Sequence, residues 1–269
     1  MMLGARTAAW AKSGSPTPAA YGGLCFTAEA DNSSVQLTAV GSAPPTVTLV
    51  KSFDGVNWEA YAVGEVIDLP STGDCVYLAA GEGGNNTFGS SSARRHNKFV
   101  INGLVAASGD ITSLRRFDLE QTTLANFCYS YMFAGCTGLT SAPELPATTL
   151  ASSCYRSMFE GCTGLTGAPE LPATTLATNC YSYMFAGCTG LTSAPELPAT
   201  TLAGSCYNYM FKGCTNISLI KVHFTAWGTQ TTNWVSKVKS NGTFYKPTAL
   251  PKEYGVDRIP PGWTVVNIY

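Results

Sequence analysis

Histidine is almost missing from this chain: His96 and His223 are the only two among 269 residues. Neither stands in a recognisable constellation, and the HExxH, GxSxG, P-loop and CxxC patterns are all absent. No catalytic residue and no cofactor is therefore assigned, and the chain is read as not an enzyme. Charge is scarce too, with 12% charged residues and a formal net charge of −1. A phosphate-binding domain normally shows a clear basic excess. The short groups Arg94, Arg95, His96 and Lys98, and Arg115 with Arg116, read as solvated loops, so no nucleic-acid partner is expected. No apolar run approaches the roughly 18 residues that span a bilayer, so no membrane span is expected. Residues 1–23, with Arg6, Lys12, Pro16 and Pro18, contain no continuous apolar stretch of the secretory type. No signal peptide is visible, and extracellular or cell-surface placement would need a removed signal, another export route or lysis; virion association is the other expectation.

What the chain does have is hydrophobic residue, 45% of the total, enough for two modest cores. It also repeats. Cys128, Cys154, Cys180 and Cys206 recur at a period of 26, and Cys136, Cys162, Cys188 and Cys214 follow each by eight positions. The unit from Cys154 reads CYRSMFEGCTGLTGAPELPATTLATN, nearly identical to its neighbours. Leu119 and Leu124 mark a partial unit one period earlier, and the fourth unit drifts after Cys214. Worn ends around a clean middle fit a stacked array whose terminal repeats need different outer faces. Within a unit, the spacing of Met158, Phe159, Cys162, Leu165, Leu171 and Leu176 predicts a short helical turn over 155–162 and an extended segment after Leu165. Pro169 and Pro172 forbid a helix between them and cannot both donate to a continuous sheet ladder.

The frame L-x-x-x-x-P-x-L-P-x-x-x-L with MF-x-G-C-T-x-L resembles the BspA-like leucine-rich repeats of bacterial surface proteins over residues 117–218. The resemblance implies an adhesin or surface-displayed binding protein. These units are longer and richer in proline than the commonest form. The stretches GTFYK and IPPGWTVV resemble the tail that closes many such arrays, and the leader LGARTAAWAKSGS is similar to the start of phage-type proteins of gut bacteria.

Equivalent positions of stacked repeats become rows spaced by about 4.8 Å. Phe133, Phe159, Phe185 and Phe211, with Met132, Met158, Met184 and Met210, are expected as packing. Eight residues of regular helix would hold the two cysteines of a unit about 12 Å apart, beyond disulfide reach, whereas a bent path would bring them together. Inward-facing thiols, disulfides and zinc all remain open, zinc least supported because tight paired spacing is absent. Glu144, Glu170 and Glu196 form a carboxylate row, in which like charges about 5 Å apart repel by roughly 0.8 kcal/mol per pair in water. It must face solvent or a cation; weak calcium binding is one reading and a solvated edge the other. Tyr129, Tyr155, Tyr181 and Tyr207 make a full aromatic row, and Tyr131, Tyr183 and Tyr209 a second, broken by Ser157. Exposed aromatic rows suit sugar rings or protein partners. The candidate ligand-binding residues are thus Tyr131, Tyr155, Tyr181, Tyr183, Tyr207, Tyr209 and Arg156; the competing reading is that tyrosine merely covers the convex edge. Arg156, Ser157, Glu160, Asn179 and Lys212 vary between units and are expected to be exposed.

Short strands are expected at 24–30, 35–40, 46–52, 58–62, 75–80 and 99–102, with Asp54-Gly55 among the turns. The expected organisation is a leader or attachment segment at 1–23, a β-sandwich at 24–107, a leucine-rich-repeat solenoid at 108–218 and an aromatic-rich cap at 219–269. The fold class is β-rich with short helices. A possible pairing of Cys25 with Cys75 stays open. The function expected is adhesion or receptor binding to a surface glycan or protein, or a structural or decoration role in a phage-like particle, with self-assembly or virion attachment through 1–23.

Overall fold

A computed structural model describes residues 23–89, 95–116 and 123–269. The leader at 1–22 therefore lies outside the described residues, as do Leu119 and Arg94. The chain is β-rich; among the described residues the only helical segments are 3-10 turns at Ile111–Leu114 and Thr229–Thr231.

Among the described residues eight strands precede the repeats: β1 (Cys25–Ala28), β2 (Ser33–Val40), β3 (Leu49–Ser52), β4 (Glu59–Tyr61), β5 (Val66–Leu69), β6 (Cys75–Ala80), β7 (His96–Asn102) and β8 (Val105–Ser108). Alternation sets their faces: Val35 and Leu37 of β2 are wholly buried while Gln36 and Thr38, alternating with them, are not. At the β3–β4 hairpin the Asp54 carboxylate accepts from the Val56 and Asn57 amides at 2.8 and 2.7 Å, which fixes the turn and holds its pKa far below the usual range. One sheet has the order β5-β2-β7. The other runs β4-β3-β6-β1-β8 and continues into β9 (Leu139–Ser141), which belongs to the first repeat and pairs parallel to β8.

The repeats stack on that edge. From 153 to 162, even-numbered residues donate backward within the chain: Cys154 N to Ala151 O, Arg156 N to Ser153 O, Met158 N to Tyr155 O, Glu160 N to Ser157 O. Odd-numbered residues donate to the next unit: Ser153 N to Thr178 O, Tyr155 N to Cys180 O, Ser157 N to Ser182 O, Phe159 N to Met184 O. Every backbone donor of this stretch is thereby satisfied without a helix, and a run of overlapping turns replaces the expected helical turn over 155–162. The cause is a left-handed residue at every fourth position, Ser153, Ser157 and Gly161, with φ of 57°, 54° and 75°. A helix tolerates no such residue in its interior.

The stack begins before the first cysteine and ends after the last. Phe99 N of β7 donates to Met132 O at 2.7 Å, as Phe133 N does to Met158 O. At the other end Tyr209 N donates to Thr232 O and Phe211 N to Trp234 O, so residues 231–238 form one further rung without the repeat's sequence. Asn233 and Lys237 supply its left-handed positions, with φ of 52° and 63°. That last rung is closed by Asp257, whose carboxylate accepts from Asn233 N at 2.5 Å. On the extended side, Thr166 N donates to Thr140 O and Ser218 N to Thr192 O, and the ladder finishes as a parallel sheet of β10 (Leu219–Lys221), β11 (Thr243–Lys246) and β12 (Thr264–Asn267).

Inside, the side chains stack as rows. Phe99, Phe133, Phe159, Phe185 and Phe211 lie 5.2, 5.4, 5.6 and 5.9 Å apart in sequence, with the methionines of the four units wholly buried alongside. Phe26 meets Phe99 edge-on at 4.9 Å at one end, and Trp234 lies 6.1 Å from Phe211 at the other. One hydrophobic core thus runs unbroken from Leu24 to Trp263.

All ten cysteines are free, and the eight of the repeats are buried. The second of each unit donates its thiol to a phenylalanine carbonyl of the preceding rung: Cys136 to Phe99 and Cys162 to Phe133 at 3.1 Å, Cys188 to Phe159 and Cys214 to Phe185 at 3.0 Å. Burial pushes the Cys136 thiol up to about 12, so it is a structural donor rather than a nucleophile.

Candidate binding surface

The turn stretch presents two tyrosines, two residues apart, in three of the four units and one in the second, and the structure separates the two positions. Tyr155, Tyr181 and Tyr207 are 1, 2 and 1% exposed and stack in the interior with Tyr129 at 5.8–6.1 Å. Their assignment as ligand-binding residues is corrected: alternate residues of the turn run point inward, and these four are core. Burial raises the pKa of each hydroxyl well above the usual value.

Tyr131, Tyr183 and Tyr209 occupy the outward left-handed position, with φ of 62°, 61° and 59°, and are half-buried. The Tyr183 and Tyr209 rings stack at 4.5 Å and 12°, and Lys212 Nζ lies 5.3 Å from the Tyr209 ring centre. Burial, then the charge of Tyr209, raises the Tyr183 pKa; Arg156 opposes the shift and Glu160 adds to it. Tyr131 instead stacks on His96 at 5.0 Å. Ser157, between Tyr131 and Tyr183 in the row, is 1% exposed, which corrects its expected exposure; a serine is too short to reach the surface its neighbours define. Arg156, Glu160 and Asn179 are half-buried and Lys212 is exposed. Of the residues that differ between units, Lys212 therefore lies against one stacked tyrosine pair, and Arg156 and Glu160 bring charges of opposite sign that act on its Tyr183. Such a platform suits contact with a flat, polar-edged partner such as a sugar ring or an aromatic side chain.

The carboxylate row lies on the proline-rich stretch of the rungs. Glu144 and Glu170 are exposed, and among the described residues neither has a salt-bridge partner. Glu196 does: Lys221 Nζ stands 2.9 Å and His223 Nε2 2.5 Å from its Oε1, and His223 Nδ1 lies 2.8 Å from the Tyr269 hydroxyl. The Lys221 hydrogen bond, followed by that from His223, holds the Glu196 carboxyl below its usual value. Among the described residues no group of three or more His, Cys, Asp or Glu side chains is placed to hold a metal ion. Of the three carboxylates of the row, Glu196 thus takes cationic partners from its own chain.

The Glu196 cluster was missed at the level of sequence because its members come from different rungs. The signal available was the loss of the repeat after Cys214, which puts Lys221 and His223 one period after Pro195 and Leu197. Among the described residues no helix is long and apolar enough to cross a membrane. A scan against protein-family models, a search of curated proteins and a search of solved structures each return no match to this chain.

Proposed function

We propose that this chain is a non-enzymatic binding protein, an adhesion or receptor-binding module whose turn stretch contacts a glycan or protein on another cell. In this reading the stacked units are a leucine-rich-repeat-type solenoid of the BspA-like kind, and the two antiparallel sheets in front of it are a β-sandwich. The supporting observation is that the variable residue Lys212 lies against the Tyr183–Tyr209 pair and the variable residues Arg156 and Glu160 act on its Tyr183, while the invariant residues hold the scaffold. Surface display, or display on a phage-like particle through residues 1–23, is part of the same proposal.

The test is a glycan and cell-binding screen with the whole chain beside a Tyr183→Gly/Tyr209→Gly variant. Glycine accepts the positive φ of both sites, so the rings are removed without new backbone strain. A ligand that binds the parent and loses about tenfold or more in the variant supports the reading, on the scale of a lost aromatic anchor. Equal binding by both proteins, or an unchanged signal when the surface ligand is stripped enzymatically, removes it.

A further inference from the structure

On the outward side of the turn stretch the units cease to be copies of one another. The row of Arg156 continues with Ser182 and Asn208, and the row of Glu160 with Ala186 and Lys212. The inter-unit bonds Ser157 N to Ser182 O and Tyr183 N to Asn208 O, each 2.9 Å, stack these positions rung on rung. Arg156 and Lys212 therefore stand two rungs apart along the array, roughly 10 Å at the spacing of neighbouring strands. The unit between them sets only the short side chains of Ser182 and Ala186 in those rows.

Neither cation has an acid of its own chain. Among the described residues Arg156 and Lys212 enter no salt bridge, and the Arg156 Nε is buried without a hydrogen-bond partner. Lys212 Nζ lies 5.3 Å from the Tyr209 ring centre, and that ring stacks at 4.5 Å on Tyr183 of the unit between the two charges. A carboxylate takes the Nε–H and an Nη–H of an arginine together, so it satisfies a donor that the chain by itself leaves unbonded. Glu160 is the one acid in these two rows from Arg156 to Lys212. It can accept from sugar hydroxyls, and it repels a ligand charged at every residue.

We propose that the ligand of this face is a linear acidic polysaccharide with a carboxylate on alternate sugars, an inference that rests on the glycan-binding function proposed above and narrows it. The polysaccharide runs along the array, because two rungs match the advance of one disaccharide. One uronic acid places its carboxylate on Arg156 and the next on Lys212, and the neutral sugar between them lies against the Tyr183–Tyr209 pair. The whole chain carries a formal net charge of −1, so the attraction is local to these two cations rather than a property of the molecule's field.

The probes are fluorescein-labelled octasaccharides of hyaluronan and of unsulfated chondroitin, both alternating a uronic acid with a neutral amino sugar, titrated against the whole chain at low salt and followed by anisotropy. Saturable binding of at least one is expected, weakened about tenfold in Arg156→Gln/Lys212→Gln and by chemical reduction of the probe's carboxylates to alcohols. The charge-matched variant Lys239→Gln/Lys252→Gln, altered at exposed lysines elsewhere, is expected to bind within about twofold of the parent. Absence of saturable binding by both probes, equal loss in the two charge variants, or undiminished binding of the carboxyl-reduced probe overturns the proposal. A neutral chitin octasaccharide separates this inference from the function it rests on. If that probe binds, is lost in Tyr183→Gly/Tyr209→Gly and is kept in Arg156→Gln/Lys212→Gln, the acidic ligand is overturned and glycan binding stands. Matching thermal melts of parent and variants show that the comparison is of binding alone.

Discussion

At the residue scale a sharp constraint within the repeats is the close approach of successive rungs at Gly164 and Gly190. A Cβ built on Gly164 would stand 2.5 Å from Thr137 O, and one on Gly190 2.6 Å from Thr163 O, both backbone atoms that cannot turn aside. The fourth unit carries Asn216 in that place and uses its amide to bond Thr189 O at 2.8 Å, so the rung there sits differently. Gly164→Ala is accordingly expected to destabilise by about 3 kcal/mol, the upper range for overpacking, read as a fall in the denaturation midpoint with unchanged slope. A melt equal to the parent's would show that the rungs separate freely. The same scale explains why the binding face was only half legible. Residue type alone cannot tell Tyr155 from Tyr183: both follow a cysteine closely, both are tyrosine, and only the left-handed φ at the second position turns one ring in and the other out. The phenylalanine, methionine and leucine rows were readable because apolar residues at a fixed period leave one choice of face.

At the scale of elements, the pairing of Glu196 with Lys221 and His223 of the next rung carries a pH dependence. The Glu196 carboxyl is depressed below 4.5, first by the Lys221 hydrogen bond and then by His223. A depressed carboxyl contributes stability that is complete above its unfolded value and is lost as pH falls through the folded one. Glu196 is 49% exposed, so screening keeps the contribution small. Glu196→Gln should therefore melt about 2 °C or less below the parent at pH 6. The gap should close by about pH 3, where the parent's carboxyl is protonated too; a gap that stays constant across that range would show that the ion pairs contribute nothing. Several elements escaped sequence reading for identifiable reasons. Strand β5 is only four residues, VIDL, with a charged residue inside it, and β8 is VAAS, too small-chained to look like a strand. The rung at 231–238 keeps the backbone path but replaces Met210 and Phe211 with Trp234 and Val235, so no residue match betrays it.

At the scale of the whole molecule the consequence is continuity. The division drawn between 107 and 108 is crossed by the Phe99–Met132 hydrogen bond, the Cys136 thiol on Phe99, the Phe99–Phe133 stack and the β8–β9 pairing. Residues 108–269 made alone would expose the first phenylalanine of the row and an unpaired strand edge. They are expected to aggregate or to lose a cooperative melt, whereas a sharp thermal transition for that fragment would show two independent units. The repeat was legible because duplication wrote it plainly; the fusion was not, because β7 shares only Phe99 with the phenylalanine row and otherwise joins the stack through backbone atoms.

One feature of the turn stretch acts along the entire array. Its inter-rung N–H groups all point toward the following rung, so the corresponding peptide dipoles align head to tail as they do in a helix. The array is therefore electrically polar, with its positive pole at the final rung, where the Asp257 carboxylate meets the Asn233 amide. An aspartate at that place does for a column of turns what an acidic cap does for a helix, and it makes the two poles chemically unlike. Two molecules meeting pole to pole along this axis can align these dipoles only head to tail.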